Sequence, residues 1–140
     1  MKYLIYLVFL LSNLYCSPLL KYSQSNRQFE EEVSFLESLD FKEKAGEKDV
    51  LFIGSSSIRL WDNIQVDMYP YSSIKRGYGG AHFYDLIHFS ERLVKNHSPK
   101  AILIFVANDI TGSNDLTNIV GDLSPNEVKK LFRYNYKLIR

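Results

Sequence analysis

A chain of 140 residues, 46% of them hydrophobic, has material for one core and not for two. Ten tyrosines and nine phenylalanines exclude a disordered composition, and a formal charge of +1 with no basic face excludes nucleic acid as the expected partner. The single cysteine, Cys16, excludes an internal disulfide framework and a cysteine-based zinc site.

The N-terminus carries the first signal. Lys2 precedes an apolar run over residues 3–11, the more polar Ser12 and Asn13 follow, and no charge appears between Lys2 and Lys21. A short positive region before an apolar one is the pattern of a secretory signal. Residues 1–17 are therefore expected to be a signal peptide or N-terminal anchor, and the chain to be exported: periplasmic, secreted or held at the cell envelope. Cys16 stands where a lipoprotein cysteine would stand and is the candidate lipidation site. Asn13 and Tyr15 are not the aliphatic and small residues such a signal uses, and no Ala-x-Ala cleavage pattern is present. Lipidation, ordinary cleavage and membrane anchoring through residues 1–16 therefore stay open, although Pro18 interrupts a helix at the end of the stretch.

Residues 18–27 read as a tether. Ser25 and Gln28 have capping-box spacing, and Phe29, Val33, Leu36 and Leu39 recur at helical intervals opposite a run of acids. Gly46 ends this helix region. Residues 49–54 (DVLFIG) form a short apolar run closed by glycine, the signature of a buried strand. Residues 72–76 predict a shorter strand leading into Gly77-Tyr78-Gly79-Gly80. A helix is expected over residues 81–96, with Phe83, Leu86, Ile87, Leu93 and Val94 on one face. Residues 101–107 (AILIFVA) predict another buried strand. Ser124-Pro125-Asn126-Glu127 is a helix start, with serine as N-cap, proline in the first turn and glutamate at the capping-box position. Alternating strands and helices predict an α/β fold with a parallel sheet, whose ligands bind beyond the C-terminal ends of the strands.

Three polar or glycine-rich clusters follow the predicted strands. Ser55, Ser56 and Ser57 make either a helix N-cap or a presented nucleophile. Ile58 stands where the Gly-x-Ser-x-Gly elbow needs its last glycine, so that motif does not fit. Gly77 to Gly80 make either a plain turn or a backbone donor aimed at an oxyanion. His82 breaks the dinucleotide fingerprint, and no Walker lysine is present. Asn108 beside Asp109 makes either a turn or a side-chain donor. The aromatic residues within 61–71 suit a substrate cleft or, more commonly, a core.

Taken together the three clusters carry a resemblance. Phe52-Ile53-Gly54-Ser55-Ser56-Ser57-Ile58-Arg59-Leu60-Trp61 resembles the first sequence block of the GDSL/SGNH hydrolase family, in the branch where Gly-Ser-Ser replaces Gly-Asp-Ser. Arg76-Gly77-Tyr78-Gly79-Gly80-Ala81 resembles the second block, and Val106-Ala107-Asn108-Asp109-Ile110 the third. Order and spacing agree, and the resemblance covers residues 28–140. It implies a three-layer flavodoxin-like (SGNH hydrolase) parallel sheet, incomplete here with three strands. It also implies a serine ester hydrolase that uses no cofactor or metal and acts on small-molecule esters such as acylated sugars or lipids. Ser56 would be the nucleophile. The backbone N–H groups of Ser56 and Gly80 and the side-chain amide of Asn108 would form the oxyanion hole.

Two departures qualify the resemblance. Ala107 stands where the family has glycine before the asparagine. The family's C-terminal Asp-x-x-His has no counterpart after Ile110, which leaves Ser56 without its base. Asp85-Leu86-Ile87-His88 spells Asp-x-x-His, but on the helix after the second block, where the two residues are expected to be solvated neighbours on one face. His82, at a loop-to-helix boundary, reads as a boundary residue more readily than a substrate contact. His97 has no assigned role. The third strand is expected to keep an unpaired apolar edge, and the isolated chain to be unstable, oligomeric or inactive. Three readings follow: an exported esterase, a non-catalytic remnant that binds without turning over, and a surface lipoprotein acting as a binding module.

Overall fold

The computed structural model describes residues 18–23, 27–43, 49–112 and 122–140. Residues 1–17, Ser25 and Gly46, and with them the signal, the Cys16 and the capping-box expectations, lie outside that set.

Val50–Gly54 forms β1, and all five residues are buried because both faces and both edges of this strand are covered. It is the centre of a three-stranded parallel sheet of order β2-β1-β3, with β2 at Ser73–Gly77 and β3 at Ala101–Phe105. Gly54 is level with Gly77 on one side and with Phe105 on the other, so all three strands end along one edge. Asp49 fastens the opposite edge. Its carboxylate accepts from Lys100 at 2.6 Å and from the Ser72 N–H and hydroxyl at 2.9 and 3.0 Å. The Lys100 and Ser72 bonds hold the Asp49 carboxyl at about 2.

Side chains alternate across a strand, so Leu51, Ile53 and Ile74 point to one face and Val50 and Phe52 to the other. The first face carries the main core. It is covered by α2 (Glu30–Lys42), α5 (Phe83–Val94) and α6 (Pro125–Leu138), which bring in Val33, Leu36, Leu86, Ile87, Phe89, Leu93 and Leu131. The second face carries a smaller cluster under two single-turn helices, α3 (Ser56–Arg59) and α4 (Ile64–Asp67). Trp61 belongs to this cluster, its ring edge-on to Phe52 at 5.4 Å. The two short helices were not anticipated, because four residues are too few to show a period.

Three expectations need correction. The first concerns β3, which is not a buried strand: Ala101, Leu103 and Phe105 are exposed, and Ile102 and Ile104 are only half-buried. The strand pairs with β1 alone, and α3 and α4 sit over β1 and β2, so the Leu103 and Phe105 face has no cover among the described residues. On the other face a cleft of about 390 Å³ lies beside α6, lined by Ile102, Ile104, Phe132 and Tyr136. Among the described residues the outer edge of β3 is unpaired, as expected.

The tether is the second correction. Pro18–Lys21 forms a helical turn, α1, and Tyr22 is buried with its ring stacked 5.3 Å from that of Tyr84. Lys21 Nζ donates to Glu127 of α6 at 2.9 Å. The third correction is the start of α2. A single 3₁₀ turn at Arg27–Phe29 precedes it, and its N-cap is Phe29, which offers no side-chain acceptor.

The capping box of α6 is as expected. The Ser124 hydroxyl accepts the Glu127 N–H at 3.3 Å, and the Glu127 carboxylate accepts the Ser124 N–H at 3.1 Å. Replacing Ser124 by alanine removes the first of these bonds and is expected to cost about 1 kcal/mol. The check is the urea midpoint, and an unchanged midpoint would show that the cap is dispensable.

Candidate functional site

The site is built where the three strands end. After β1 the chain turns at Gly54, whose φ of +146° suits glycine, and Ser55 becomes the N-cap of α3. Ser55 is buried, and its N–H donates to the Phe105 carbonyl at 3.1 Å. Ser56 is the first residue of α3 and half-exposed. A first-turn N–H has no partner within its helix. No acceptor among the described residues takes the Ser56 N–H or its hydroxyl.

After β2 the glycine loop lies against α3. A Cβ on Gly77 would sit 2.7 Å from both the Arg59 nitrogen and the Ile58 Cβ, so only glycine permits this approach. Tyr78 N–H donates to the Gly54 carbonyl at 3.0 Å. Gly79 N–H is held by both oxygens of Glu32, at 3.2 and 3.3 Å. Gly80, with φ of +72°, is exposed, and its N–H meets no acceptor among the described residues.

After β3 the Asn108 amide donates to the Ala81 carbonyl at 3.0 Å and bridges the third loop to the second. An asparagine amide has two hydrogens, so this bond leaves one for a ligand. The neighbouring Asp109 is buried, and both its oxygens accept the Phe83 N–H at 3.1 Å, at the first turn of α5. The three sequence clusters are thus joined at one sheet edge. Ser55 and Gly79 have committed N–H groups, while Ser56 and Gly80 do not.

Of the histidines, His82 borders these loops, and His88 and His97 lie in the helix that follows and beyond it. His82 is the N-cap of α5, with its ring stacked 4.5 Å from Tyr84 and its Nδ1 3.7 Å from Asp109. His97 is buried with its Nε2 3.0 Å from Asp40. His88 is half-buried, and burial pushes its imidazole below the ordinary value. Among the described residues none of the three is hydrogen-bonded to Ser56. The expectation that Asp85 and His88 are solvated neighbours is wrong for Asp85. It is fully buried, and its carboxylate accepts the His82 N–H at 3.1 Å, which starts α5. Residue 85 stands at the N3 position because the helix starts at Phe83, two residues later than expected, with His82 as its N-cap.

Sequence reasoning also missed the ring of support around the loops. Glu32 and Arg59 were read only as an acid on a helix face and a member of a motif. Among the described residues no group of three or more acids, histidines or cysteines is placed to hold a metal ion, and no helix is long and apolar enough to cross a membrane. No family model matches the chain, and no curated protein matches it.

Proposed function

We propose that the chain carries the acyl-accepting part of an exported serine ester hydrolase of the GDSL/SGNH type. Ser56 Oγ attacks the ester carbonyl carbon, and its proton passes to a water molecule. The carbonyl oxygen takes up the displaced electron pair, within reach of the Ser56 and Gly80 N–H groups and the second Asn108 hydrogen. Collapse breaks the carbon–oxygen bond to the leaving group, which takes a proton from water and departs as the alcohol, and water then hydrolyses the acyl-serine left behind. The observation that supports this reading is the pairing of two uncommitted backbone donors with an unbonded serine hydroxyl, on adjoining loops that close approach at Gly77 holds together. The substrate class, acyl esters of sugars or lipids, comes from the resemblance alone.

One observation favours a second reading, a binding module. Among the described residues no histidine is hydrogen-bonded to the Ser56 hydroxyl, so no paired base takes its proton. The two readings separate by chemical rescue. The intact chain is treated with a fluorophosphonate, with and without imidazole as a dissolved base, and the adduct is mapped by mass spectrometry. The expected result is slow labelling of Ser56, faster with imidazole and absent in Ser56→Ala. A folded chain that takes no label even with imidazole would discard the esterase and leave the binding module.

A further inference from the structure

Two glycines in succession make a poor platform for a catalytic donor. Each lacks a Cβ, and the peptide between them turns over at little steric cost. Turned one way the Gly79–Gly80 peptide presents an N–H to the site, and turned the other way a carbonyl oxygen that would repel an oxyanion. A side chain from outside the three strand-end loops pins the peptide just before it. Glu32, on α2, takes the Gly79 N–H in its carboxylate at 3.2 and 3.3 Å. α2 itself is anchored in the core by Val33 and Leu36, one and four residues beyond Glu32.

Two further contacts close the loop in. The Arg59 guanidinium lies 3.1 Å from where a Gly79 Cβ would be, and its Nη1 is 3.5 Å from Glu32. Phe29, at the entry to α2, packs its ring 5.0 Å from that of Tyr78 and lies 4.0 Å from where a Gly80 Cβ would be. A carboxylate this near an oxyanion site would oppose the developing charge, and Arg59 offsets it. A plain surface ion pair between Glu32 and Arg59 would not need the amide hydrogen as well.

We propose that Glu32 is a positioning residue. By fixing the Gly79 amide it aims the next one, Gly80 N–H, at the oxygen that becomes charged when Ser56 attacks. The inference rests on the reading of Ser56 as nucleophile and adds to it a residue that never touches substrate. Removing one preorganised donor costs about 100- to 1,000-fold in rate. Loosening one costs less, so a loss on the order of 10- to 100-fold is expected.

The test uses the full chain with Glu32→Ala and Glu32→Gln, the second keeping an acceptor oxygen for Gly79. Two readouts are taken. One is hydrogen exchange at the Gly79 amide. The other is the rate of Ser56 labelling by fluorophosphonate in imidazole, resolved into half-saturating concentration and maximal rate. In Glu32→Ala the Gly79 amide is expected to exchange faster and the maximal rate to fall, with half-saturation unchanged. Glu32→Gln is expected to recover most of both. Faster Gly79 exchange with a wild-type labelling rate would overturn the positioning role alone, and so would a glutamine variant as impaired as the alanine one. A wild-type chain that takes no label would instead overturn the reading of Ser56, and the positioning role with it.

Discussion

Gly54→Ala is expected to abolish the cooperative unfolding transition of the chain. A Cβ at this position would sit 2.0 Å from the Phe105 carbonyl oxygen and 2.8 Å from its carbon, both backbone atoms of a paired strand. No rotamer relieves that contact. A φ of +146° also lies where side chains are strained. To accept the methyl group, β1 and β3 must part at their C-terminal ends, breaking the bond from the Ser55 N–H to Phe105. We expect a loss above about 4 kcal/mol, which belongs to the exceptional class of point mutations. It is comparable with the whole stability of a small domain, about 5–15 kcal/mol. The single tryptophan, Trp61, packed on Phe52 of β1, is a natural reporter in urea. A variant that unfolds at the wild-type midpoint would show that the strand ends are looser than the geometry requires.

The second large effect is expected at Arg76. This side chain is 1% exposed, and its guanidinium bonds Asp40 at 2.6 and 3.1 Å and Glu43 at 2.6 Å. Asn96 donates to the other Asp40 oxygen at 2.9 Å, and His97 stands 3.0 Å away. The cluster joins β2 to the last turns of α2 and the segment after α5. Arg76→Met leaves the Asp40 carboxylate buried without its main partner and is expected to cost about 3–5 kcal/mol. Asp40→Leu in the same chain should recover much of that, because two apolar groups need no pairing. A double variant no better than Arg76→Met alone would show that packing rather than charge sets the cost.

The same cluster sets a pH dependence. Burial pushes His97 below its ordinary value of 6.5, the Asp40 charge opposing this and the Arg76 charge adding to it. Burial would raise Asp40, but hydrogen bonds from Asn96 and Arg76 outweigh it and hold the carboxyl below 3.8. Both groups bind protons less readily folded than unfolded, so both stabilise the fold at neutral pH. The His97 contribution is present above pH 6.5 and is lost as pH falls from there through its folded value. The Asp40 contribution is lost only below 3.8. Urea midpoints are expected to start falling below pH 6.5, and His97→Gln to flatten that first fall.

The legible parts of the fold were those where one local pattern decides. The run over residues 50–54 is apolar at every position because every position is buried, and the α6 start announces itself through Ser124, Pro125 and Glu127. The strand-end clusters were legible as positions but not as partners. Nothing local to Glu32 separates it from Glu30 or Glu31; only the docking of α2 beside the glycine loop does. Asp85 read as a solvated residue because an N3 carboxylate can cap a helix exposed or buried, and tertiary packing decides which. β3 was misjudged for a related reason. An apolar run reports that a strand suits burial, while its neighbours in the sheet decide how much cover it receives.

Lys21 and Glu127 meet across 106 residues of sequence. A ribosome adding about 5–20 residues per second needs roughly 5–20 s to make that stretch. Throughout that interval α1 exists without its ion pair. Tyr22 can stack on Tyr84 before that, so the segment is fastened in two stages, its ring contact ahead of its ion pair.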